Sequence, residues 1–144
     1  MEFEIRVVKS SSLVGEKDYK KVAVKFLQLI GYMGNNADEH SIPYHLFECF
    51  LLHPGKKWTV EELMATLKAT KATVYRHLNK LKAMDLLEEG KEGEGIKVKK
   101  TYQLRYGNVA KAWNFVEAHV KVAMEQYAET VHHLQKLVEK RHLK

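Results

Sequence analysis

The residues that decide the fold are 59–81, TVEELMATLKATKATVYRHLNKL. Apolar residues recur there every three or four positions, which predicts two short amphipathic helices joined by a tight turn. The second helix keeps an apolar stripe on one side and carries polar side chains on the other, at Thr73, Tyr75, Arg76, Asn79 and Lys80. Such a helix can pack on a domain through one face while the other lies in a DNA groove.

The ends of these two helices are marked by capping residues. Thr59 and Glu62 have the spacing of a capping box, in which each side chain satisfies a free backbone N–H group near the other. Thr70 is the natural N-cap of the second helix. Upstream, Ser41 is expected to open another helix, which His53, Pro54 and Gly55 end.

The N-terminal part, residues 1–39, is predicted to contain a strand and a helix. Met1, Phe3, Ile5 and Val7 alternate with charged residues, so they favour a strand that pairs with something distant or with another subunit. Helical spacing of apolar residues then predicts a helix from about residue 16 to residue 33, which residues 34–36 end.

Downstream of the two short helices, the pattern predicts a hairpin and then one long helix. Glycines 90, 93 and 95 lie among charges before a strand at residues 101–104, as in a β-hairpin. After Gly107 no proline or glycine follows until about residue 140, and the apolar residues form nearly a coiled-coil seam with a slip near Met124. A helix of about 34 residues spans about 50 Å, too long to bury its seam in one subunit. We therefore expect a dimer, with an intramolecular helical hairpin as the alternative.

The expected fold is mainly α with a small β-hairpin wing: a winged helix-turn-helix followed by a long C-terminal dimerisation helix. Three segments are predicted: residues 1–39 for packing or dimerisation, residues 40–105 as the winged-helix domain, and residues 106–144 as the long helix.

Composition limits the classes of function. The 144 residues carry a net charge of +6, from 24 Lys and Arg against 18 Asp and Glu, and residues 56–100 hold 11 of these basic residues against 7 acidic ones. A basic surplus favours polyanionic partners such as nucleic acid. The single cysteine, Cys49, allows no internal disulfide, and no apolar run approaches the roughly 20 residues of a membrane span. We expect a soluble, cytoplasmic, nucleoid-associated protein with no membrane partner.

Residues 40–104 resemble the winged helix-turn-helix domains of bacterial and archaeal transcription regulators, in particular the MarR, ArsR and TrmB-like groups. The resemblance is carried by residues 59–63 (TVEEL), residues 70–78 (TKATVYRHL), and the leucines at 81, 86 and 87. In these families the turn between the paired helices often has glycine, where this chain has Lys68. A lysine in a left-handed conformation costs about 1 kcal/mol relative to glycine.

The resemblance implies that the second helix lies in the DNA major groove and that the hairpin touches flanking backbone. The expected DNA-binding residues are Thr70, Lys71, Thr73, Tyr75, Arg76, Asn79 and Lys80 on the helix, and Lys97, Lys99 and Lys100 on the wing. The alternative for the helix is a merely solvated polar face. The wing lysines share their hairpin with four glutamates, so the alternative for the wing is a charged loop that only keeps the hairpin soluble.

Two further sites remain alternatives. His45, Cys49 and His53 share a face of one helix, but Cys49 is more simply a small core residue than a metal ligand, so no metal is predicted. Trp113, Phe115 and Tyr127, with the aromatics of the first helix, either line an effector pocket or belong to the core. No catalytic motif and no cofactor fingerprint is present, so we expect no enzyme and no cofactor.

The sequence thus predicts a homodimeric, sequence-specific regulator of transcription that binds double-stranded DNA. A protein-interaction or architectural chromatin factor with little sequence specificity is the alternative. Contact with the transcription machinery is left open.

Overall fold

The computed structural model describes residues 4–143, which form five α-helices and one antiparallel hairpin. In chain order the elements are α1 (Tyr19–Leu29), α2 (Ile42–Leu52), α3 (Val60–Leu67), α4 (Lys71–Ala83), β1 (Leu87–Glu92), β2 (Lys99–Leu104) and α5 (Val109–His142). One short 3₁₀ turn, Gly95–Lys97, lies between the two strands, and a second, Arg105–Gly107, follows β2. The mainly α fold with a β-hairpin wing is as predicted. None of the described helices is both long enough and apolar enough to cross a membrane.

One hydrophobic core holds the helices and the base of the wing together. It includes Leu27 of α1, Phe47 of α2, Leu63 of α3 and Leu78 of α4, all essentially inaccessible to solvent. α5 contributes Ala112 and Val116 from its first turns. Each helix therefore buries one apolar stripe in a shared core, as amphipathic helices of a globular domain do.

The predicted caps of α3 and α4 are present. The Thr59 side chain accepts from the Glu62 N–H (3.2 Å), and Glu62 Oε1 accepts from the Thr59 N–H (3.1 Å), which completes the capping box. Thr70 caps α4 by accepting from the Thr73 N–H. Lys68 ends α3 in the left-handed conformation (φ 51°, ψ 47°), so the turn keeps the shape that glycine usually provides.

The helix α1 is shorter than predicted at both ends. It begins after Asp18, whose side chain accepts from the Lys20 N–H, and it ends at Leu29 rather than near residue 33. The cause of the early end is Gly31, whose φ of +86° lets the chain turn so that the Tyr32 N–H donates back to the Leu27 carbonyl. The buried residues Ile30, Tyr32 and Met33 therefore belong to a turn and not to the helix.

The N-terminal strand prediction is wrong for the described residues, and its Met1 and Phe3 lie outside them. Residues 4–8 are extended but form no strand. The Glu4 N–H donates to the Ala83 carbonyl (2.8 Å) and the Arg6 N–H to the Ile30 carbonyl (3.0 Å). Helix-end carbonyls, which lack partners within their own helices, take the place of a neighbouring strand.

The wing is a hairpin with an additional partner at its base. β1 and β2 pair from Leu87 opposite Leu104 to Glu92 opposite Lys99. Trp58, just before α3, exchanges two backbone hydrogen bonds with Tyr102 (2.7 and 2.8 Å). This bridge was not predicted, and it fixes the start of α3 against the wing.

The long helix α5 has a packed first part and a free second part. Ala112 and Val116 are buried, whereas every residue from 124 to 143 is exposed. We call residues 124–143 the arm. Because α5 is one uninterrupted helix and its arm is exposed, the intramolecular helical hairpin is not formed.

Candidate nucleic-acid interface

The helix α4 presents a polar face while its other face is fixed in the core. Val74, Leu78 and Leu81 are completely buried, which sets the rotation of the helix about its axis. The opposite side exposes Arg76 and Asn79 to solvent. The structure also leaves Thr70, Lys71 and Lys80 exposed, and it makes Thr73 and Tyr75 only partly accessible. All seven predicted residues of this segment thus lie on one element, with five of them freely accessible.

The N-terminus of α4 combines capping with free donors. The Thr70 hydroxyl accepts from the Thr73 N–H (3.2 Å) and donates to the Thr73 hydroxyl oxygen (3.0 Å). The Thr73 hydroxyl proton can therefore still be donated elsewhere. The N–H groups of the first turn point out of the helix end, where an anion is stabilised by them and by the helix dipole.

Tyr75 has a different environment from its polar neighbours. Its ring is half-buried and packs against the hydrophobic core. The Lys71 ammonium nitrogen lies 5.9 Å from the ring centre, within the range of a cation–π contact. Tyr75 therefore holds the Lys71 side chain near the start of α4, and its own ring projects only partly into solvent.

The wing displays its lysines at a tip whose glutamates are partly engaged. Lys97, Lys99 and Lys100 are all exposed, and Lys100 lies opposite Lys91 in the register of the hairpin. Of the four wing glutamates, Glu89 forms an ion pair with Lys82, which lowers the pKa of the Glu89 carboxyl. Glu88 accepts from the Tyr106 N–H (3.1 Å). Both lie at the base of the hairpin, so the lysines dominate its outer part.

Comparisons with known proteins identify the fold. A family model described as a helix-turn-helix domain matches residues 44–90. A solved structure of a possible transcriptional regulator from Methanosarcina mazei Go1 superposes with a TM-score of 0.51 at 14% identity, covering 84% of this chain and 92% of its own. The chain has the winged helix-turn-helix fold. The fold that the sequence resemblance implied is thereby confirmed.

Other structures are more distantly similar to this winged helix-turn-helix. Staphylococcus aureus MepR in its DNA-binding conformation has a TM-score of 0.46 at 15% identity, covering 85% of this chain and 89% of its own. A mutant of Lactococcus lactis ZitR has a TM-score of 0.40 at 18% identity, covering 83% of each chain. No curated protein is significantly similar to the chain in sequence.

The winged helix-turn-helix contains a basic turn that the sequence did not single out. Lys68 is exposed at the junction of α3 and α4, beside the capped start of α4. Its charge adds to that of Lys71 at the same end of α4. The signal in the sequence is a lysine at the position where glycine is usual.

His77, on α4, is a second residue near this surface to which the sequence pattern assigns no role. It is half-buried, and its Nδ1 atom is buried with no hydrogen-bond partner among the described residues. Burial lowers the pKa of the imidazole, and the neighbouring charges of Arg76 and Lys80 lower it further. A neutral ring is thus favoured beneath the basic face.

The base of the wing is tied to α5 by a polar cluster. The Arg105 Nε–H donates to the Asp85 carbonyl (2.9 Å) and one Nη2–H to the Leu87 carbonyl (3.3 Å). Asp85 Oδ2 lies 3.9 Å from His119 Nδ1 on α5. This cluster connects the end of α4, the wing and the long helix, and no local sequence pattern predicts it.

The metal alternative at α2 finds no support in the geometry. Cys49 is buried in the core, and burial raises the pKa of its thiol. His45 Nδ1 lies 3.9 Å from Glu48 Oε1, and the His53 ring lies 6.0 Å from the Trp58 ring, tilted by 58°. Among residues 4–143, no three His, Cys, Asp or Glu side chains are grouped so that they could hold a metal ion.

The aromatic residues proposed for an effector pocket do not lie together. An open apolar groove of about 810 Å³ lies between α1, α2 and the start of α5, and Trp113 and Phe26 line it. Phe115 instead packs on Arg105, and Tyr127 lies on the arm. Of the three α5 aromatics, only Trp113 therefore lines the groove, and the exposed Tyr127 belongs neither to a pocket nor to the core.

Proposed function

We propose that the protein is a sequence-specific regulator of transcription that binds double-stranded DNA as a homodimer. The observation that carries this proposal is the exposed face of α4, with Arg76, Asn79 and Lys80, on a helix whose opposite face is completely buried. A buried stripe fixes which side chains can enter a groove. The same rigidity makes sequence reading by these side chains feasible.

The side chains on α4 match the chemistry of base edges. The Arg76 guanidinium can bind guanine O6 and N7 with two parallel N–H groups, and the Asn79 amide can bind adenine N6 and N7. Lys71, Thr70 and the first-turn N–H groups suit phosphate oxygens, which set register without reading sequence. Lys68 extends the same basic end of the helix.

The wing lysines are assigned to the phosphate backbone. Lys97, Lys99 and Lys100 are exposed, and the glutamates nearest the base of the hairpin are held by Lys82 and by the Tyr106 N–H. Flexible lysines next to a duplex release counterions on binding and make affinity depend on salt. The fold shared with the Methanosarcina mazei protein, itself described as a possible transcriptional regulator, is consistent with this role.

The homodimer is supported by the arm of α5. Tyr127, Val131 and Leu134 expose 64%, 59% and 60% of their surfaces along one side of an isolated helix. Exposed apolar stripes of this length are typical of a protein–protein interface. A two-fold dimer closes the assembly and presents two recognition helices to two half-sites.

Band-shift titrations of the purified protein across a salt series test the assignment of the two elements. Arg76→Ala is expected to weaken binding to a selected duplex by about 10- to 100-fold, as loss of one bidentate base contact does. Lys99→Ala is expected to lower the slope of log affinity against log salt by about 1. Lys25→Ala, exposed on α1, is the matched control and should change neither quantity.

Unchanged affinity and slope in both Arg76→Ala and Lys99→Ala would contradict the proposal. Binding to all duplexes with no preferred sequence, but with the salt slope still dependent on Lys99, would instead favour an architectural role.

A further inference from the structure

Four exposed apolar residues of the arm are symmetric about one point in the sequence. Tyr127, Val131, Leu134 and Val138 follow one another at intervals of four, three and four residues. Their midpoint falls between His132 and His133. Reversing the direction of the chain reproduces this spacing, as in any heptad seam, so two copies of the arm can pair in antiparallel as well as in parallel orientation.

The apolar stripe of the arm continues the stripe that packs in the core. Trp113, Val116 and Val120 are buried or half-buried against their own subunit. The two successive steps of four residues, from Val116 to Val120 and from Val120 to Met124, offset the drift of a heptad pattern on a straight helix, so the stripe stays on the same face. From Met124 onward the helix extends beyond the domain, and the stripe is exposed.

We propose that the arm pairs antiparallel with the arm of a second copy, with the two-fold axis between His132 and His133. Tyr127 then lies in a layer with the partner's Val138, and Val131 lies with the partner's Leu134. Both layers join positions that are related as a and d of a heptad, which is the pairing of antiparallel coiled coils. The inference rests on the homodimer in the proposed function and adds its orientation and register.

The distribution of charge along the arm favours the same orientation. Its first half carries Glu125 and Glu129, and its second half carries Lys136, Lys140 and Arg141 with only Glu139 as an acid. Antiparallel arms place the acidic half beside the basic half of the partner, whereas parallel arms place like charges together. The dipoles of two antiparallel helices also oppose each other favourably.

The register sets the spacing of the two winged-helix domains. Val120, the last residue of the packed seam, is about 19 Å from the axis at a rise of 1.5 Å per residue. The two Val120 positions are then about 38 Å apart along the arm, close to the 34–36 Å of one turn of DNA. The arm therefore spaces the two domains on the scale that neighbouring half-sites require.

Disulfide trapping tests the register, because Cys49 is the only natural cysteine and can be replaced by alanine. Chains carrying Tyr127→Cys are mixed under reducing conditions with longer, tagged chains carrying Val138→Cys, and are then oxidised. We expect the mixed-size dimer to be the main disulfide product. Each variant oxidised alone should remain largely uncrosslinked, since two Tyr127 positions would be about 16 Å apart along antiparallel arms.

Efficient crosslinking of Tyr127→Cys to itself would overturn the proposal, because it indicates parallel arms. Val22 lines the apolar groove between α1, α2 and the start of α5. Crosslinking of Tyr127→Cys to Val22→Cys would also overturn the proposal, because the arm would then bind the partner's domain. Light scattering gives a second measurement: Leu134→Glu should convert a dimer into a monomer, and an unchanged dimer mass would contradict the proposal.

The same variants separate this inference from the proposed function. Parallel arms in a protein that still loses DNA affinity on Arg76→Ala would refute the register and leave the DNA-binding role intact. An antiparallel dimer with no effect of Arg76→Ala would do the reverse.

Discussion

The guanidinium carbon of Arg105 lies 4.1 Å from the centre of the Phe115 ring, so the residue that follows the wing is stacked on the long helix. The same guanidinium donates to the carbonyls of Asp85 and Leu87, at either side of the entry into the wing. A single side chain thus joins the end of α4, the hairpin and α5. A change in the direction of α5 would therefore shift the base of the wing through this contact.

Replacing Arg105 by lysine should destabilise the protein by about 1–3 kcal/mol, because an ammonium group cannot make both hydrogen bonds while stacking on the ring. Urea unfolding at a fixed protein concentration measures the change. Arg141→Lys, the same substitution at the exposed end of α5, should change stability by less than about 0.5 kcal/mol. Equal effects of the two substitutions would show that the Arg105 contacts contribute little.

Lys68→Gly should stabilise the protein by about 1 kcal/mol, because Lys68 adopts the left-handed conformation at φ 51° and glycine adopts it without steric cost. The matched control is Lys80→Gly, in the interior of α4, where the same substitution should destabilise by about 1 kcal/mol. Thermal unfolding of both variants gives the two signs directly. A loss of stability in Lys68→Gly would mean that the lysine side chain stabilises the turn.

His77 should make the protein less stable at mildly acidic pH. Burial, with Arg76 and Lys80 nearby, lowers the pKa of His77 in the folded state, so between that pKa and the ordinary value of 6.5 the unfolded chain binds more protons. Its contribution to stability is therefore present above about pH 6.5 and is lost as the pH falls through the folded-state pKa. Urea unfolding at pH 7.5 and pH 5.5 should show a smaller drop for His77→Gln than for the wild type.

The neighbouring charges provide a second check of this pH dependence. The double variant Arg76→Ala and Lys80→Ala retains His77 but removes two of the causes of its lowered pKa. Its drop in stability should lie between those of the wild type and His77→Gln. An identical drop in all three proteins would assign the pH dependence to other groups.

Much of the fold was predictable because its signals are local. Thr59 and Glu62 are three residues apart and cap each other, and Thr70 caps the helix that it precedes. The exposed face of α4 was equally predictable, since the buried positions Val74, Leu78 and Leu81 recur at helical spacing. Such features depend on neighbours in sequence, which a pattern can show.

The features that were not predicted depend on residues far apart in sequence. The segment at Glu4 and Arg6 bonds to the ends of two helices, and Trp58 pairs with Tyr102 more than 40 residues away. The early end of α1 at Gly31 is a local feature that was missed, because buried residues continue the apolar spacing beyond it. The alternation in residues 1–7 predicts a strand, whereas among residues 4–7 of the described chain only Ile5 is partly buried and its neighbours are exposed.

Within the candidate site, the sequence indicated residue identity and helix face but not environment. Tyr75 and Arg76 are adjacent and both polar, yet one packs on the core and the other faces solvent. The lowered pKa of His77 arises mainly from burial in the folded domain, so no local sequence pattern predicts it.

The central claim is that the exposed face of α4 reads a base sequence, and selection of random duplexes by the purified protein tests it most directly. The wild type is expected to enrich a palindromic motif with half-sites about one helical turn apart. Arg76→Ala should lose the preference at a symmetry-related base pair in each half-site while retaining the rest of the motif. Enrichment of no motif by the wild type, or of the same motif by Arg76→Ala, would contradict the claim.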